Sequence, residues 1–257
     1  MHEEMYKNSQ IQSNISNLSQ NHYIVGPRYG KLDIGDTGLG RLIEPDELLR
    51  VLNKVNGKII VTSGPTYEEI DDVKVVTNKS SGKQGRALAV ELSARGYEII
   101  YIHAASIDHV PGLDNVTFHS SNDLKNKILE NINNTEAIFM TAAVSDFTIK
   151  KSSGKISRSN GNITLEFIPN EDIIASIKTS YPEIKCIAFS AQVDDELNFN
   201  KINTKNVDFL VINNILKNKF GSDTNKVSLI DQQHLIFESE ELDKNEISRD
   251  ILNALEY

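Results

Sequence analysis

The sequence predicts an α/β fold: a mostly parallel sheet flanked by helices, with an antiparallel β extension. Three observations predict it. Short apolar runs at Ile59–Thr62, Glu98–His103, Ala137–Thr141, Cys186–Phe189 and Phe209–Ile212 are separated by helical patterns, as in a parallel sheet covered on both faces. Glycines and capping residues fall where the helical patterns start and stop. Near the C-terminal end, Val227–Phe237 breaks the alternation and reads as two antiparallel strands joined by a turn.

Taken in order, residues 1–57 form a segment of their own ahead of a nucleotide-binding-type α/β unit at residues 58–257. An Asn/Ser/Gln-rich stretch carries Ile11, Ile15 and Leu18 at helical spacing, which predicts a short amphipathic helix. Gly35-Asp36-Thr37-Gly38-Leu39-Gly40 reads as a Gly-rich loop. Pro45 opens a second helix with Leu48, Leu49, Leu52 and Val55 as its apolar stripe, ended by Gly57. After the first strand a long loop leads to a helix from about Lys83 to Arg95, closed by Gly96. Asn122 is the expected cap of a helix carrying Leu124, Ile128, Leu129 and Ile132. Lys155–Phe167 alternates around Ser-Asn-Gly-Asn and reads as a hairpin. A helix begins after Pro169, another carries Lys201 and Lys205, and Asp243 with Glu246 forms a capping box for the last.

A chain of 257 residues with 39% hydrophobic residues has material for a packed core. The net charge of −9 argues against a broad nucleic-acid-binding face, though local lysines and backbone N–H groups can still hold a small anion. Cys186 is the only cysteine, so an internal disulfide and a cysteine zinc cluster are both excluded. No apolar run reaches the roughly 20 residues of a membrane span. The polar N-terminus has no signal-peptide core, so the expected compartment is the cytoplasm. His2, His22, His109, His119 and His234 read as surface or loop residues, and no histidine pair has metal-ligand spacing.

Ligands of parallel sheets bind at the carboxyl ends of strands. That rule directs attention to the loops after Thr62, Thr141, Phe189 and Ile212. In Ser63-Gly64-Pro65-Thr66, glycine permits close backbone approach and threonine offers a hydroxyl, although a plain connection explains both. Asn78–Gly85 opens a helix whose free N–H groups suit phosphate. It is not a Walker A loop, because Thr77 replaces the first Gly and Gln84 the Ser/Thr that would hold Mg²⁺. Asp146 could bind a ribose hydroxyl or a metal ion, or simply cap a helix. Lys155 and Arg158 could be solvated surface, and Asn170–Ile173 could serve only as a helix start. Lys201 and Lys205 share a helical face that could grip a triphosphate or face water.

The order of these pieces resembles phosphopantothenoylcysteine synthetase, the synthetase half of the bifunctional decarboxylase/synthetase. The resemblance rests on Ile60–Thr66, Asp71–Lys74, Thr77-Asn78-Lys79-Ser80-Ser81-Gly82-Lys83-Gln84-Gly85, Ala142–Phe147, Gly154-Lys155-Ile156, Asn170–Ile173, Ala188–Gln192, Lys201–Asp208 and Phe220–Asn225. It implies a Rossmann-like dimeric ligase of coenzyme A biosynthesis. In such a ligase the carboxylate of 4′-phosphopantothenate attacks the α-phosphate of CTP and pyrophosphate leaves. The amine of cysteine then takes the acyl group and CMP leaves, so one hard step becomes two easier ones. Mg²⁺ is implied as counter-ion of the triphosphate.

By the same resemblance, Asn78, Lys155 and Lys205 are catalytic. Gly64, Asp146, Asn170, Asp172, Ile173, Phe189, Lys201 and Lys205 bind nucleotide, and Asn78, Ser80, Ser81, Gly82 and Lys83 bind the acyl substrate. Ser145, Gln192 and Asn214 depart from the family's usual Ala, Glu and Asp, which bears on nucleotide contacts. Residues 1–57 resemble the tail of the flavin-dependent decarboxylase half, with His2 in place of a motif Asn and Ile34 in place of the acidic-catalyst Cys. No FMN and no decarboxylase activity are therefore expected, while docking on a separate decarboxylase chain stays open. Two other readings compete: an NAD(P) oxidoreductase, which the missing GxGxxG disfavours, and a non-catalytic partner of a flavin decarboxylase, which the retained polar set disfavours.

Overall fold

The computed structural model describes the chain except residues 23, 33–36, 46–47, 49–56, 194–196, 198 and 215–220. Helices α1 (Glu3–Lys7) and α2 (Ser9–Ser19) open the chain, followed by the antiparallel strands β1 (Arg28–Lys31) and β2 (Thr37–Arg41). The expected amphipathic helix is α2. Gly38-Leu39-Gly40, read as part of a loop, lies in β2 instead, where Met1 and Glu3 crowd against Gly40 and Gly38. The helix opening at Pro45 and the Ile34 position fall largely outside the described residues.

The main unit then runs β3 (Lys58–Ser63), β4 (Tyr67–Glu69), β5 (Val75–Thr77), α3 (Lys83–Ala94), β6 (Glu98–Ala104), β7 (Asp114–Phe118), α4 (Ser121–Glu130) and β8 (Thr135–Met140). It continues with β9 (Phe147–Ile149), β10 (Phe167–Pro169), α5 (Ile173–Ser180), β11 (Lys185–Gln192), α6 (Asn200–Lys205) and β12 (Phe209–Asn214). Strands β13 (Thr224–Asn225), β14 (Val227–Ile230), β15 (Leu235–Glu238) and β16 (Leu242–Asp243) lead to α7 (Lys244–Ala254).

Eight strands make the central sheet, in the order β15-β14-β12-β11-β8-β3-β6-β7. Pairing is parallel from β12 to β7 and antiparallel at β14 and β15; the sequence predicts this arrangement for all of these strands except the edge strand β7. Alternation along β3 divides the core between the two faces. Ile60 joins Ile100, Phe118, Leu124, Ile128 and Ile177 on one side. Ile59 and Val61 join Leu88, Leu92, Tyr101, Phe139 and Ile251 on the other, under α3 and α7. Burial of each such side chain is worth about 1.5–3 kcal/mol, so the sheet and its covering helices hold the strand ends in place. No helix among the described residues is long and apolar enough to cross a membrane.

Two expectations are corrected. Ser120, not Asn122, caps α4: its hydroxyl accepts from the Asp123 N–H at 3.2 Å. Lys155–Phe167 is not a hairpin. Gly154 and Gly161 both take positive φ, and a short 3-10 turn covers Arg158–Asn160. The strands that pair are β9 and β10, which flank the segment from outside. None of the described residues of the segment is buried, so no buried face fixes a strand there.

Candidate active site

The candidate site is built on the carboxyl ends of β3 and β8. Leaving β3, the chain turns at Gly64 with φ +88°, where a Cβ would lie 2.7 Å from Ile107 and 2.8 Å from Ala104. Only glycine fits that turn. The loop after β8 runs beside it: the Ala143 N–H donates to the Gly64 carbonyl at 2.9 Å, and the Thr66 N–H to the Ala143 carbonyl at 3.2 Å. Thr66 is buried, and its hydroxyl accepts from the Ser145 N–H at 3.0 Å.

Asn78 secures the same loop. Its Nδ2 donates to the carbonyls of Ala143 at 3.0 Å and Val144 at 3.2 Å. Ser80, Ser81, Gly82 and Lys83 then lead into α3. Gly82 occupies the N-cap with φ +69° and has no side chain to cap the helix, so among the described residues the first-turn N–H groups have no side-chain acceptor. Gly85 lets the helix settle on β3, since a Cβ there would meet Thr141 Oγ1 at 2.3 Å and Ser63 Cβ at 2.8 Å. The Lys83 ammonium donates to the Gly221 carbonyl at 2.9 Å and Asp223 Oδ1 at 2.6 Å, which holds the Asp223 carboxyl below its ordinary value.

The next group follows directly. Asn170 donates from Nδ2 to the Ser145 carbonyl at 2.9 Å, and its N–H donates to the Asp146 carbonyl at 2.9 Å. Asp146 is exposed at this rim. Asp172 caps α5 by accepting from the Ala175 N–H at 3.2 Å and also accepts from Lys205 Nζ at 2.8 Å. Ile173 is buried beneath. Hydrogen bonds thus link Gly64, Asn78, Asp146 and Asn170, and a separate pair, Asp172 with Lys205, begins two residues further along the chain. Phe189 is half-buried on β11, Lys201 half-buried on α6, and Lys155 exposed on the β9–β10 loop.

Sequence reasoning gave no role to Asp71 or Glu68, both buried. Glu68 accepts from the Ser121 N–H at 3.1 Å and from Thr148 Oγ1 at 3.2 Å, which ties β4 to α4 and β9. The Asp71 carboxyl is held well below the usual carboxylate range by Lys74, with burial opposing and backbone N–H groups assisting. The only signal for Asp71 was its place in the quoted Asp71–Lys74 motif. A cavity of about 880 Å³ lies elsewhere, between the N-terminal segment and α3, lined by Tyr6, Pro27, Arg28, Arg86 and Val90 among others. It includes none of the implied site residues.

Comparison with known proteins gives the family of the chain. The family model of the DNA/pantothenate metabolism flavoprotein C-terminal domain matches residues 55–257, and the chain belongs to that family. It is 32% identical to the coenzyme A biosynthesis bifunctional protein CoaBC of Bacillus subtilis, over 99% of this chain and 67% of that protein. It is 30% identical to a cysteine/cysteine sulfinic acid decarboxylase of an unknown prokaryotic organism, over 98% of this chain and 76% of that protein. The crystal structure of the C-terminal domain of CoaBC superposes with a TM-score of 0.66 at 26% identity, covering 79% of this chain and 96% of that one.

Proposed function

We propose that this chain is the ligase that condenses 4′-phosphopantothenate with cysteine in coenzyme A biosynthesis, using CTP. The observation that carries the reading is the hydrogen-bonded set of Gly64, Asn78, Ser145 and Asn170, with the Asp172–Lys205 pair starting two residues further along the chain, in a chain whose family match spans residues 55–257. In the first half-reaction a carboxylate oxygen attacks the α-phosphorus and the bond to pyrophosphate breaks. Charge builds on the leaving group, and fixed cations and N–H donors stabilise it most. Lys205, oriented by Asp172, and Lys155 serve that step, with the open start of α3 for an anionic group. In the second, the cysteine amine attacks the acyl carbon, CMP leaves and the amine loses a proton. Asn78 acts there by fastening the loop after β8 through the Ala143 and Val144 carbonyls.

Mg²⁺ belongs with the CTP triphosphate as its counter-ion. Among the described residues no group of three His, Cys, Asp or Glu side chains is placed to hold a metal, which fits a cation brought by the nucleotide. A homodimer in the cytoplasm without FMN completes the reading. Exposed Val73, Val75, Phe147, Phe167 and Ile168 on the β4–β5 and β9–β10 hairpins supply apolar surface for a second copy. An NAD(P) oxidoreductase is disfavoured because β3 leads into the β4–β5 hairpin rather than directly into a helix.

The test is turnover of 4′-phosphopantothenate and cysteine with each nucleoside triphosphate, measuring pyrophosphate and the monophosphate. Pyrophosphate and CMP in equal amounts, well above the ATP rate, are expected. Equal or faster turnover with ATP would remove the choice of CTP alone. No turnover with any nucleotide would remove the ligase reading.

A further inference from the structure

We propose that Asp71 is a positioning residue for Lys155: with Lys74 it clamps the peptide of Ile156 and so fixes where the adjoining lysine can reach. The proposal rests on the ligase reading and on the role given there to Lys155 in forming the acyl-nucleotide.

Asp71 sits in the turn between β4 and β5 and is 1% exposed. Its Oδ1 accepts from the N–H groups of Val73 and Lys74, both at 2.7 Å, and those two bonds suffice to make the turn. Oδ2 does something else. It accepts from Lys74 Nζ at 2.8 Å and from the Ile156 N–H at 2.9 Å, 85 residues away in sequence. Lys74 Nζ also donates to the Ile156 carbonyl at 3.2 Å. Both backbone polar groups of the residue after Lys155 are therefore held from the β4–β5 turn.

Neighbouring bonds extend the attachment. The Gly154 N–H donates to Asp72 Oδ2 at 2.9 Å, and the Asp72 N–H to the Gly154 carbonyl at 3.2 Å. The Ser152 N–H donates to the Ile70 carbonyl at 2.9 Å, and Lys151 pairs with Glu69 and Asp72. Beyond Ile156 the side-chain bonds become local, between Ser157 and Ser159. Lys155 thus lies at the last clamped point of the segment, with exposed chain beyond it. Placement matters here, because an error of about 1 Å at a reacting group can cost about 10²-fold.

The experiment measures pyrophosphate release without cysteine for the wild type, Asp71→Asn, Lys155→Met and the double variant, with a cysteine chase to follow acyl transfer. An amide at position 71 keeps one acceptor for the turn but loses the charge and the second acceptor. Asp71→Asn is expected to slow pyrophosphate release about 10–100-fold, with KM for CTP and phosphopantothenate within about two-fold and acyl transfer at the normal rate. In the Lys155→Met background the same substitution should have no further effect, because there is no lysine left to place. If Asp71→Asn does not fold, Asp71→Ser retains a hydroxyl acceptor for the turn while falling short of Ile156, and the same cycle is run with it. A wild-type rate for the position-71 variant, or losses that multiply in the double variant, would overturn the proposal and leave the ligase reading standing. A wild-type rate for Lys155→Met would overturn both this proposal and the role given to Lys155.

Discussion

In the proposed ligase reaction, Lys205 and Asn78 differ in kind, and the half-reactions are expected to divide between them. Lys205 brings a full charge paired with Asp172, so in the proposed reaction its largest contribution is expected where pyrophosphate departs. Asn78 brings a neutral amide already spent on the carbonyls of Ala143 and Val144. A carboxylate at position 78 would face those two oxygens without a donor and loosen the loop that borders the acyl group in the proposed reaction. Asn78→Asp should still form acyl-cytidylate but pass it to cysteine slowly. Lys205→Gln should release little pyrophosphate. Losing one such donor costs about 10²–10³ in rate. Quenched flow with radiolabelled CTP, followed by a cysteine chase, distinguishes the two. An Asn78→Asp enzyme that makes no intermediate, or a Lys205→Gln enzyme that makes it at the normal rate, would refute the division. Cys186 shows the reverse case, a reactive atom outside the chemistry. It is fully buried on β11, and burial pushes its thiol up to about 12. An unfolded cysteine ionises near pH 8.5, so the folded state is favoured below that pH and loses this contribution as pH climbs toward 12. Iodoacetamide at pH 8 should label Cys186 only after denaturation, and native labelling at the denatured rate would contradict its burial.

Elements differ in how plainly they could be read. The inner parallel strands were legible because both of their faces are buried, and Ile59–Val61 or Ile99–Ile102 can be little else than interior strand, whereas the half-exposed edge strand β7 was not. The β4–β5 and β9–β10 hairpins were not, since β9 and β10 expose Phe147, Phe167 and Ile168 and show no buried alternation. The β9–β10 loop was misread because its polar alternation imitates a hairpin that no core contact supports. At the site, residue types were visible but their bonds were not. Asn78 finds Ala143 across 65 residues, and Asp71 finds Ile156 across 85. No local pattern encodes such pairings, so each loop taken alone could equally be a turn or a cap. Helix α3 offers a test of packing at this level. Gly85 was visible only as the end of a motif, yet its missing Cβ allows the helix to touch Ser63 and Thr141. Gly85→Ala should raise intrinsic helix propensity and nevertheless destabilise, because overpacking costs about 1–3 kcal/mol. A lower urea midpoint, with slower turnover from a displaced helix start, is the expected result. An unchanged or higher midpoint would mean that the close approach yields easily.

At the scale of the whole molecule, the division at residue 57 meets a network that crosses it. Arg28 of β1 donates to Glu91 Oε2 at 2.8 Å, with both side chains buried. Glu91 Oε1 accepts from Arg95 Nε at 3.1 Å, and Arg95 donates on to the Tyr257 carbonyl at 2.7 Å and Asn253 Oδ1 at 2.9 Å. The N-terminal hairpin, α3, α7 and the final residue are thus joined through one buried carboxylate. Composition separates the two parts of the sequence, since residues 1–57 hold the polar stretch, but composition says nothing about which charges pair across the boundary. If the parts fold as one unit, Arg28→Ala should lower a single thermal transition rather than create a second one. A buried hydrogen bond to a charged group is worth about 1.5–3 kcal/mol. With about 2–4 °C per kcal/mol at this chain length, the midpoint should fall by roughly 3–12 °C. Arg95 still neutralises Glu91 in the variant, which keeps the loss below that of an unpaired buried charge. Arg28→Lys should recover part of it, because one ammonium can replace one of the donors. Calorimetry is the suitable measurement. Two resolved transitions, with only the smaller one moved by Arg28→Ala, would show that the N-terminal segment folds independently and merely rests on the family domain.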